Sequence, residues 1–293
     1  MQSTLQINNY KVPVKNLNKK FWPEGYTKAD IMKYYIEVWP YLGPHLQNRP
    51  VSLVRYPEGI EGTFFYQKDV PNPPSWVQTI PLVSEERVIR YAMINNLETL
   101  IWAVNLGCIE VHPWLSAKDA LENPTYVIFD LDPMEPSTFS DAVRVARMVK
   151  SLLDELSLTA IPKISGATGI HIYLPVSGNY SFQQTSHFVK KIGQLIIKSH
   201  PDLVTNERKV ADRAGKVYID HLQNLKGKTI ASVYSLRPFP GAPVSIPVLW
   251  EELSDCHPAM FNINTAVKRL ANIGDLFQPL LQLKQDLPPQ LLD

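Results

Sequence analysis

Apolar positions along this 293-residue chain recur with two periods. Spacings of three and four mark one face of a helix, while continuous or alternating apolar runs mark strands. Ile31, Tyr34, Tyr35, Val38 and Leu42 keep helical spacing behind Thr27-Lys28-Ala29-Asp30, which resembles a capping box, and Gly43-Pro44 is expected to end that helix. Val51 to Tyr56 and Thr63 to Gln67 are β-prone runs around the turn sequence Pro-Glu-Gly-Ile-Glu-Gly and read as paired strands. Asn96 to Leu106, ended by Gly107, reads as a helix, and Cys108 to Val111 and Tyr126 to Leu131 read as strands. From Thr138 to Ser157, Ala142, Val143, Ala146, Val149, Leu152, Leu153 and Leu156 mark another helix, with Asp141 near its start. Lys163 to Pro175 gives two β-like runs around a turn of small residues. A helix near Phe182 to Ser199 follows, then strands at Val217 to Asp220 and Thr229 to Tyr234. Residues 237–247 are rich in proline and read as extended or looped. The tail, Asp275 to Asp293, is expected to pack loosely.

Helices and strands interleave, but several strands are joined by tight turns. The expected class is therefore α+β, with mixed or antiparallel β-sheets flanked by helices, in a single domain over residues 1–293. No apolar stretch approaches the roughly 18 residues of a membrane helix, and the amino terminus has no apolar signal core, so a cytoplasmic protein without a membrane partner is expected. Cys108 and Cys256 lie far apart, outside any Cys-x-x-Cys pattern, and read as core thiols. A net charge of +1 excludes no partner by itself, because it averages over two basic stretches. One holds Lys11, Lys15, Lys19, Lys20, Lys28 and Lys33. The other holds Arg208, Lys209, Arg213, Lys216, Lys226, Lys228 and Arg237. Each fits either a phosphate-lined groove or a solvated surface.

Tyr-Val-Ile-Phe-Asp-Leu-Asp, residues 126–132, is an apolar run that presents two carboxylates with one residue between them. In a strand, Asp130 and Asp132 face the same way, as a site for hard divalent cations requires, although Asp-x-Asp also arises as two solvated turn residues. Pro133 has no N–H and is expected to mark the point where the chain leaves the sheet. Asp220, ending Lys-Val-Tyr-Ile-Asp, is a third acidic candidate; its alternative role is a turn aspartate before His221. Three carboxylates from two strands can hold a pair of divalent ions for phosphoryl chemistry. Ser165-Gly166-Ala167-Thr168-Gly169 offers backbone N–H groups and hydroxyls to phosphates, His171 and Arg237 offer further donors, and Phe64, Phe65 and Tyr66 offer rings for a core or a base. His112-Pro113-Trp114 leaves the same choice.

Taken in order, these residues resemble a known family. The blocks are Trp-Pro-Glu-Gly-Tyr-Thr-Lys, Leu-Val-Arg-Tyr-Pro-Glu-Gly, Phe-Tyr-Gln-Lys, Ile-Glu-Val-His-Pro-Trp-Leu-Ser, Phe-Asp-Leu-Asp-Pro, Ser-Gly-x-x-Gly-x-His-Ile-Tyr, Ile-Asp-His-Leu-Gln-Asn and Tyr-Ser-Leu-Arg-x-x-Pro-Gly-Ala-Pro-Val. Between Asn16 and Leu253 they resemble the polymerase domain of bacterial ligase D, in the archaeo-eukaryotic primase superfamily. The resemblance implies a primase fold with an RRM-like catalytic part. It implies template-dependent nucleotidyl transfer that fills short gaps at DNA double-strand breaks in end joining, with ribonucleotides preferred. Asp130, Asp132 and Asp220 would be the catalytic residues and hold two Mn or Mg ions. Ser165, Thr168, Gly169, His171 and Arg237 would surround the triphosphate of an NTP or dNTP, Phe65 or Tyr66 would stack on its base, and His112 would lie near its sugar. Lys19 and Lys28 would grip the DNA 5′-phosphate across a gap or break, with Arg55 on the template side. A Ku-like end-binding protein and a separate DNA ligase are the implied partners.

Two departures bear on phosphate binding. The family often has lysine where Thr168 stands, so one positive charge is either missing or supplied by nearby Lys163; it often has a second arginine where Phe239 stands. The chain shows no Lys-x-Asp-Gly ligase nucleophile, and a stand-alone polymerase or a separately cut-out domain is expected. The same metal site would serve a primase that starts strands without a primer. A non-catalytic protein that bridges DNA ends is the reading from another class. A haloacid-dehalogenase-type phosphatase also uses Asp-x-Asp but expects Gly-Thr where Pro133-Met134 follows.

Overall fold

The computed structural model describes residues 2–84 and 87–293. The sequence reads as one domain; the contacts group it into two compact units. The first comprises residues 1–119, 229–245 and 259–275, and the second comprises residues 120–228, 246–258 and 276–293.

The first unit opens with an antiparallel hairpin, β1 (Gln2–Ile7) and β2 (Tyr10–Lys15). Helix α1 (Lys28–Leu46) starts where expected, with Thr27 and Asp30 closing a reciprocal capping box. It does not stop at Gly43-Pro44 but carries Pro40 and Pro44 inside it. Gly43 has a packing reason to be there, since a Cβ would stand 2.9 Å from the Trp39 ring. Burial of Ile31, Tyr34, Tyr35, Val38, Leu42 and Leu46 outweighs the two lost N–H bonds. The sheet follows as β3 (Pro50–Arg55), β4 (Phe65–Gln67), β5 (Thr79–Ser84) and β6 (Arg87–Met93), then helix α2 (Leu97–Asn105) and β7 (Cys108–Pro113). Strand β3 pairs with β7 along one edge and with β6 and then β4 along the other, all antiparallel. The expected strand at Thr229 to Tyr234 is not formed. Thr229 makes an isolated bridge to Trp114, and Tyr234 turns the chain with φ of 60°.

The second unit holds β8 (Tyr126–Pro133), α3 (Phe139–Glu155), β9 (Ile161–Ile164), β10 (Ile170–Pro175), α4 (Phe182–Ser199), β11 (Val204–Thr205), β12 (Val217–Ile219) and β13 (Ile246–Pro247). Its sheet runs β11-β12-β8-β10-β9-β13, antiparallel except for the β11/β12 pair. The expectation that Pro133 ends the central strand is corrected. Strand β8 includes it, because pairing with β10 stops at Leu131 and Pro133 faces only Val217 of β12, so its missing N–H breaks no ladder on the other side. The loosely packed tail is corrected as well. Phe277, Leu280 and Leu287 are buried, and the Gln285 amide donates to the carbonyls of Thr159 and Pro175. A last helix, α5 (Thr265–Ile273), belongs to the first unit. Among the described residues no helix is long and apolar enough to cross a membrane.

Candidate active site

One row of polar residues crosses the sheet of the second unit. Register pairs Lys163 with His171 and His171 with Asp130, and the Asp220 N–H donates to the Asp130 carbonyl at 2.9 Å. Residues opposite one another on neighbouring strands share a face, so β9, β10, β8 and the end of β12 each supply one member. Asp132 faces the same way as Asp130 and lies opposite Tyr218. The adjacent row, Ile246, Ile164, Ile170, Leu131 and Ile219, faces the other way and is buried. Helix α4 covers that apolar face, where Phe188 packs edge-on against Phe129 and a Cβ at Gly193 would touch Ile219. The polar row therefore lies on the opposite face.

Within the row the contacts run from cation to anion. Lys163 is fully buried, its Nζ is 2.9 Å from His171 Nδ1, and His171 Nε2 is 3.4 Å from Asp130 Oδ1. Lys163 is thus directed at His171. Asp220 directly follows β12 and caps the 3₁₀ turn at His221–Asn224, the turn position anticipated as its alternative role, its Oδ1 accepting from the Leu222 N–H and the Tyr218 hydroxyl at 3.0 Å each. Burial, and after it the Asp220 charge, hold the Tyr218 hydroxyl well above its ordinary range, and the Arg213 guanidinium stacks 3.7 Å from that ring. The Asn224 amide fixes the turn to β8 by donating to the Ile128 carbonyl at 2.7 Å and accepting from its N–H at 2.8 Å.

Among the described residues, no three His, Cys, Asp or Glu side chains gather closely enough to hold a metal ion as they stand. The donor chemistry of Asp130, Asp132 and Asp220 fits one, being carboxylate oxygen of the kind magnesium and manganese take. The turn between β9 and β10 approaches them closely. A Cβ on Gly169 would lie 2.3 Å from the Leu131 carbonyl and 3.2 Å from Asp132 Oδ1. Ser165 Oγ accepts from the N–H groups of Ala167 and Gly169, so its hydroxyl builds the turn from within. Thr168 is exposed beside it.

The first unit carries the other expected residues. On its sheet Tyr66, Val54 and Glu110 are in register, and Ser52 is in register with His112, so Tyr66, Glu110 and His112 share a face. Phe65 is opposite Arg55 on the other face, with the guanidinium 5.0 Å from the ring centre. Strand alternation therefore separates Phe65 from Tyr66, and both rings are exposed. Arg55 also donates from Nε to the Leu106 carbonyl and from Nη1 to Gln67. Ser232 N–H donates to the Val111 carbonyl and Val111 N–H to Ser235 Oγ, which brings the following Arg237 to β7. There its Nε lies 2.5 Å from Glu110 Oε1, and His112 Nε2 is 3.7 Å from the same oxygen.

Lys19 and Lys28 are neighbours, the Lys28 N–H donating to the Lys19 carbonyl. Lys19 Nζ pairs with Glu58 at 2.7 Å, and Lys28 Nζ donates to the Asn105 carbonyl at 2.8 Å. Burial, then the charges of Lys19, Lys15 and Arg55, bring Lys28 down to about 8. Glu110 is the residue the sequence reading passed over. Its signal was a carboxylate inside the apolar run Ile-Glu-Val-His, at the same-face spacing from His112.

Comparison with known proteins agrees with the sequence resemblance. Residues 27–277 match the LigD primase-polymerase domain. The bifunctional non-homologous end joining protein LigD of Bacillus subtilis is 36% identical over 266 residues, covering 89% of this chain and 43% of that protein. The multifunctional LigD of Mycolicibacterium smegmatis is 32% identical, covering 92% of this chain and 36% of that protein. The chain thus spans about two fifths of the curated relatives it matches. Among solved structures, the polymerase domain of Mycobacterium tuberculosis ligase D in complex with DNA superposes with a TM-score of 0.85 at 29% identity, covering 93% of this chain and 98% of that one. With its α+β fold and antiparallel sheets, the chain belongs to the LigD primase-polymerase family, whose members are DNA-directed nucleotidyltransferases.

Proposed function

We propose that this chain adds nucleotides to a DNA 3′ end during repair of double-strand breaks by end joining, filling short gaps and preferring ribonucleotides. The polar row on the second unit's sheet carries the reading: it sets three carboxylates on one face of adjacent strands, with an imidazole beside Asp130. Asp130, Asp132 and Asp220 would hold two divalent ions, magnesium or manganese, whose chemistry there is to acidify a primer 3′-hydroxyl and neutralise charge at the reacting phosphate. His171, read as lying beside the triphosphate, orients the Asp130 carboxylate. The exposed Thr168 hydroxyl donates to the triphosphate, and Ser165 and Gly169 shape the turn that allows its approach.

On the first unit, Arg237 is read as a triphosphate contact, His112 as a sugar contact, and Phe65 or Tyr66 as the base platform. Lys19 and Lys28 are read as the 5′-phosphate grip, with Arg55 on the template side. A DNA ligase and a Ku-like end-binding protein are the proposed partners. The relatives' names, which place those proteins in non-homologous end joining, support the pathway.

Extension of a gapped, 5′-phosphorylated duplex by Asp130→Asn with Asp132→Asn tests the reading. Loss of extension with DNA binding retained is expected, whereas extension at the unsubstituted rate would reject it. Competition between ribo- and deoxyribonucleotides on that substrate tests the sugar preference. Synthesis without a primer would instead mark a primase.

A further inference from the structure

We infer that Glu110 is a positioning residue for the nucleotide: a buried carboxylate that holds Arg237 by its Nε and His112 by its Nε2, and so sets how both present themselves. The inference rests on the reading of Arg237 and His112 as nucleotide contacts.

Glu110 lies in β7 and is only 3% exposed. A carboxylate at that depth costs several kcal/mol unless it is paired, and replacing a buried pair by apolar residues is often neutral for stability, so stability alone gives little reason to keep one. Its partners are both on residues assigned to the nucleotide: Arg237 Nε at 2.5 Å and His112 Nε2 at 3.7 Å from Oε1. Burial pushes the Glu110 carboxyl up, but His112 and Arg237 together outweigh it and leave it below the usual carboxylate range. It is therefore an anion at neutral pH, despite the exposed aromatic surface beside it.

The geometry of the guanidinium gives that anion a use. Arginine presents its N–H donors to phosphate in one plane, and an ion pair anchored at Nε fixes that plane. The Arg237 side chain is 16% exposed, so it is partly open to solvent while anchored on a buried carboxylate. His112 extends the arrangement: its ring meets Tyr66 edge-on at 5.9 Å, and Tyr66 is half exposed. One carboxylate thus sits behind an arginine and a histidine on the same sheet face as the ring proposed to meet the base.

The test measures extension of a gapped duplex and, separately, nucleotide binding to the protein on a duplex whose primer ends in a dideoxynucleotide. Glu110→Gln is expected to raise KM and the dissociation constant for the nucleotide about tenfold, the size of a lost charge-assisted hydrogen bond, with kcat within about twofold. In an Arg237→Ala background the same substitution should add less than about twofold, because its route through Arg237 is gone. If Glu110→Gln does not fold, Glu110→Asp keeps the charge, loses the reach to Nε and gives the same readout. Unchanged or tighter nucleotide binding by Glu110→Gln, where Arg237→Ala weakens it, would overturn the inference and leave Arg237 a nucleotide contact. Nucleotide binding untouched by Arg237→Ala would overturn the underlying reading instead.

Discussion

Lys163 Nζ lies 2.9 Å from Nδ1 of His171, with both side chains buried. An ammonium donates three hydrogen bonds and accepts none, so Lys163 in its charged form makes Nδ1 the acceptor. The ring proton then stands on Nε2, the nitrogen 3.4 Å from Asp130 Oδ1. Lys163→Met removes the donor that fixes this arrangement. Nucleotide transfer should fall by about ten- to a hundredfold, the range for losing a hydrogen bond to a charged group, while the thermal unfolding transition stays cooperative. Single-turnover extension checks it, and a rate within about twofold of the parent would count against the tautomer argument.

Gly169 and Gly178 make a contrasting pair in the same unit. A Cβ at Gly169 would stand 2.3 Å from the Leu131 carbonyl, whereas Gly178 has open space around it and only a positive φ of 78°. Gly169→Ala should push the turn away from Asp132, costing about 1–3 kcal/mol as overpacking does and cutting extension with it. Gly178→Ala should cost about 1 kcal/mol, from backbone strain alone, and leave extension intact. Chemical denaturation and extension measured on both variants separate the two cases.

Lys28 gives the 5′-phosphate preference a pH dependence. Its folded value of about 8 lies below the ordinary 10.5, with burial the largest cause and the charges of Lys19, Lys15 and Arg55 next. Below about 8 the side chain is charged and ready for an anion. Above it the charge is lost, so the advantage of 5′-phosphorylated over 5′-hydroxyl gaps should shrink between about pH 7 and pH 9. For stability the sign is opposite: between about 8 and 10.5 the unfolded chain binds more protons, so Lys28 contributes stability that rises with pH over that window. Lys28→Arg should flatten the preference profile, and a profile as steep as the parent's would show that another group titrates.

Asp275 joins two distant parts of the first unit. Its carboxylate takes His45 Nε2 at 2.8 Å and the Tyr234 hydroxyl at 2.5 Å, while the Tyr34 hydroxyl donates to the Tyr234 carbonyl. Tyr234→Phe removes one of these hydrogen bonds and keeps the ring. It should cost about 1–3 kcal/mol in urea denaturation and leave the nucleotide KM unchanged. A changed KM would give this network a role in the site.

The carboxylates were legible because strand alternation ties Asp130 to Asp132, and the apolar run before each acid marks where a strand delivers it. Their neighbours were less so. That Asp220 lies beside Asp130 is a fact of pairing between β12 and β8, which no local pattern encodes. Lys163 and Glu110 were missed in their present roles for the same reason: each is a charge inside an apolar strand, and its meaning depends on the strand opposite. The early hairpin escaped although Val12 and Val14 alternate with Lys11, Pro13 and Lys15, while α1 ran past Gly43-Pro44 because tertiary burial overrode the local stop signal. The tail was misjudged from composition. Three spaced side chains, Phe277, Leu280 and Leu287, suffice to anchor it.

The two rows of the second sheet also guard one another. Lys163, His171, Asp130 and Asp220 lie one residue out of step with Ile164, Ile170, Leu131 and Ile219, so a slip of a single residue in any strand would exchange a charge for an isoleucine or leucine. The slipped strand would drive an ionised group under α4 and expose an apolar one, at several kcal/mol for the charge alone. The residues read here as the chemical centre therefore act during folding as a proofreading element, and substituting them with apolar side chains should loosen strand alignment even where it leaves the helices intact.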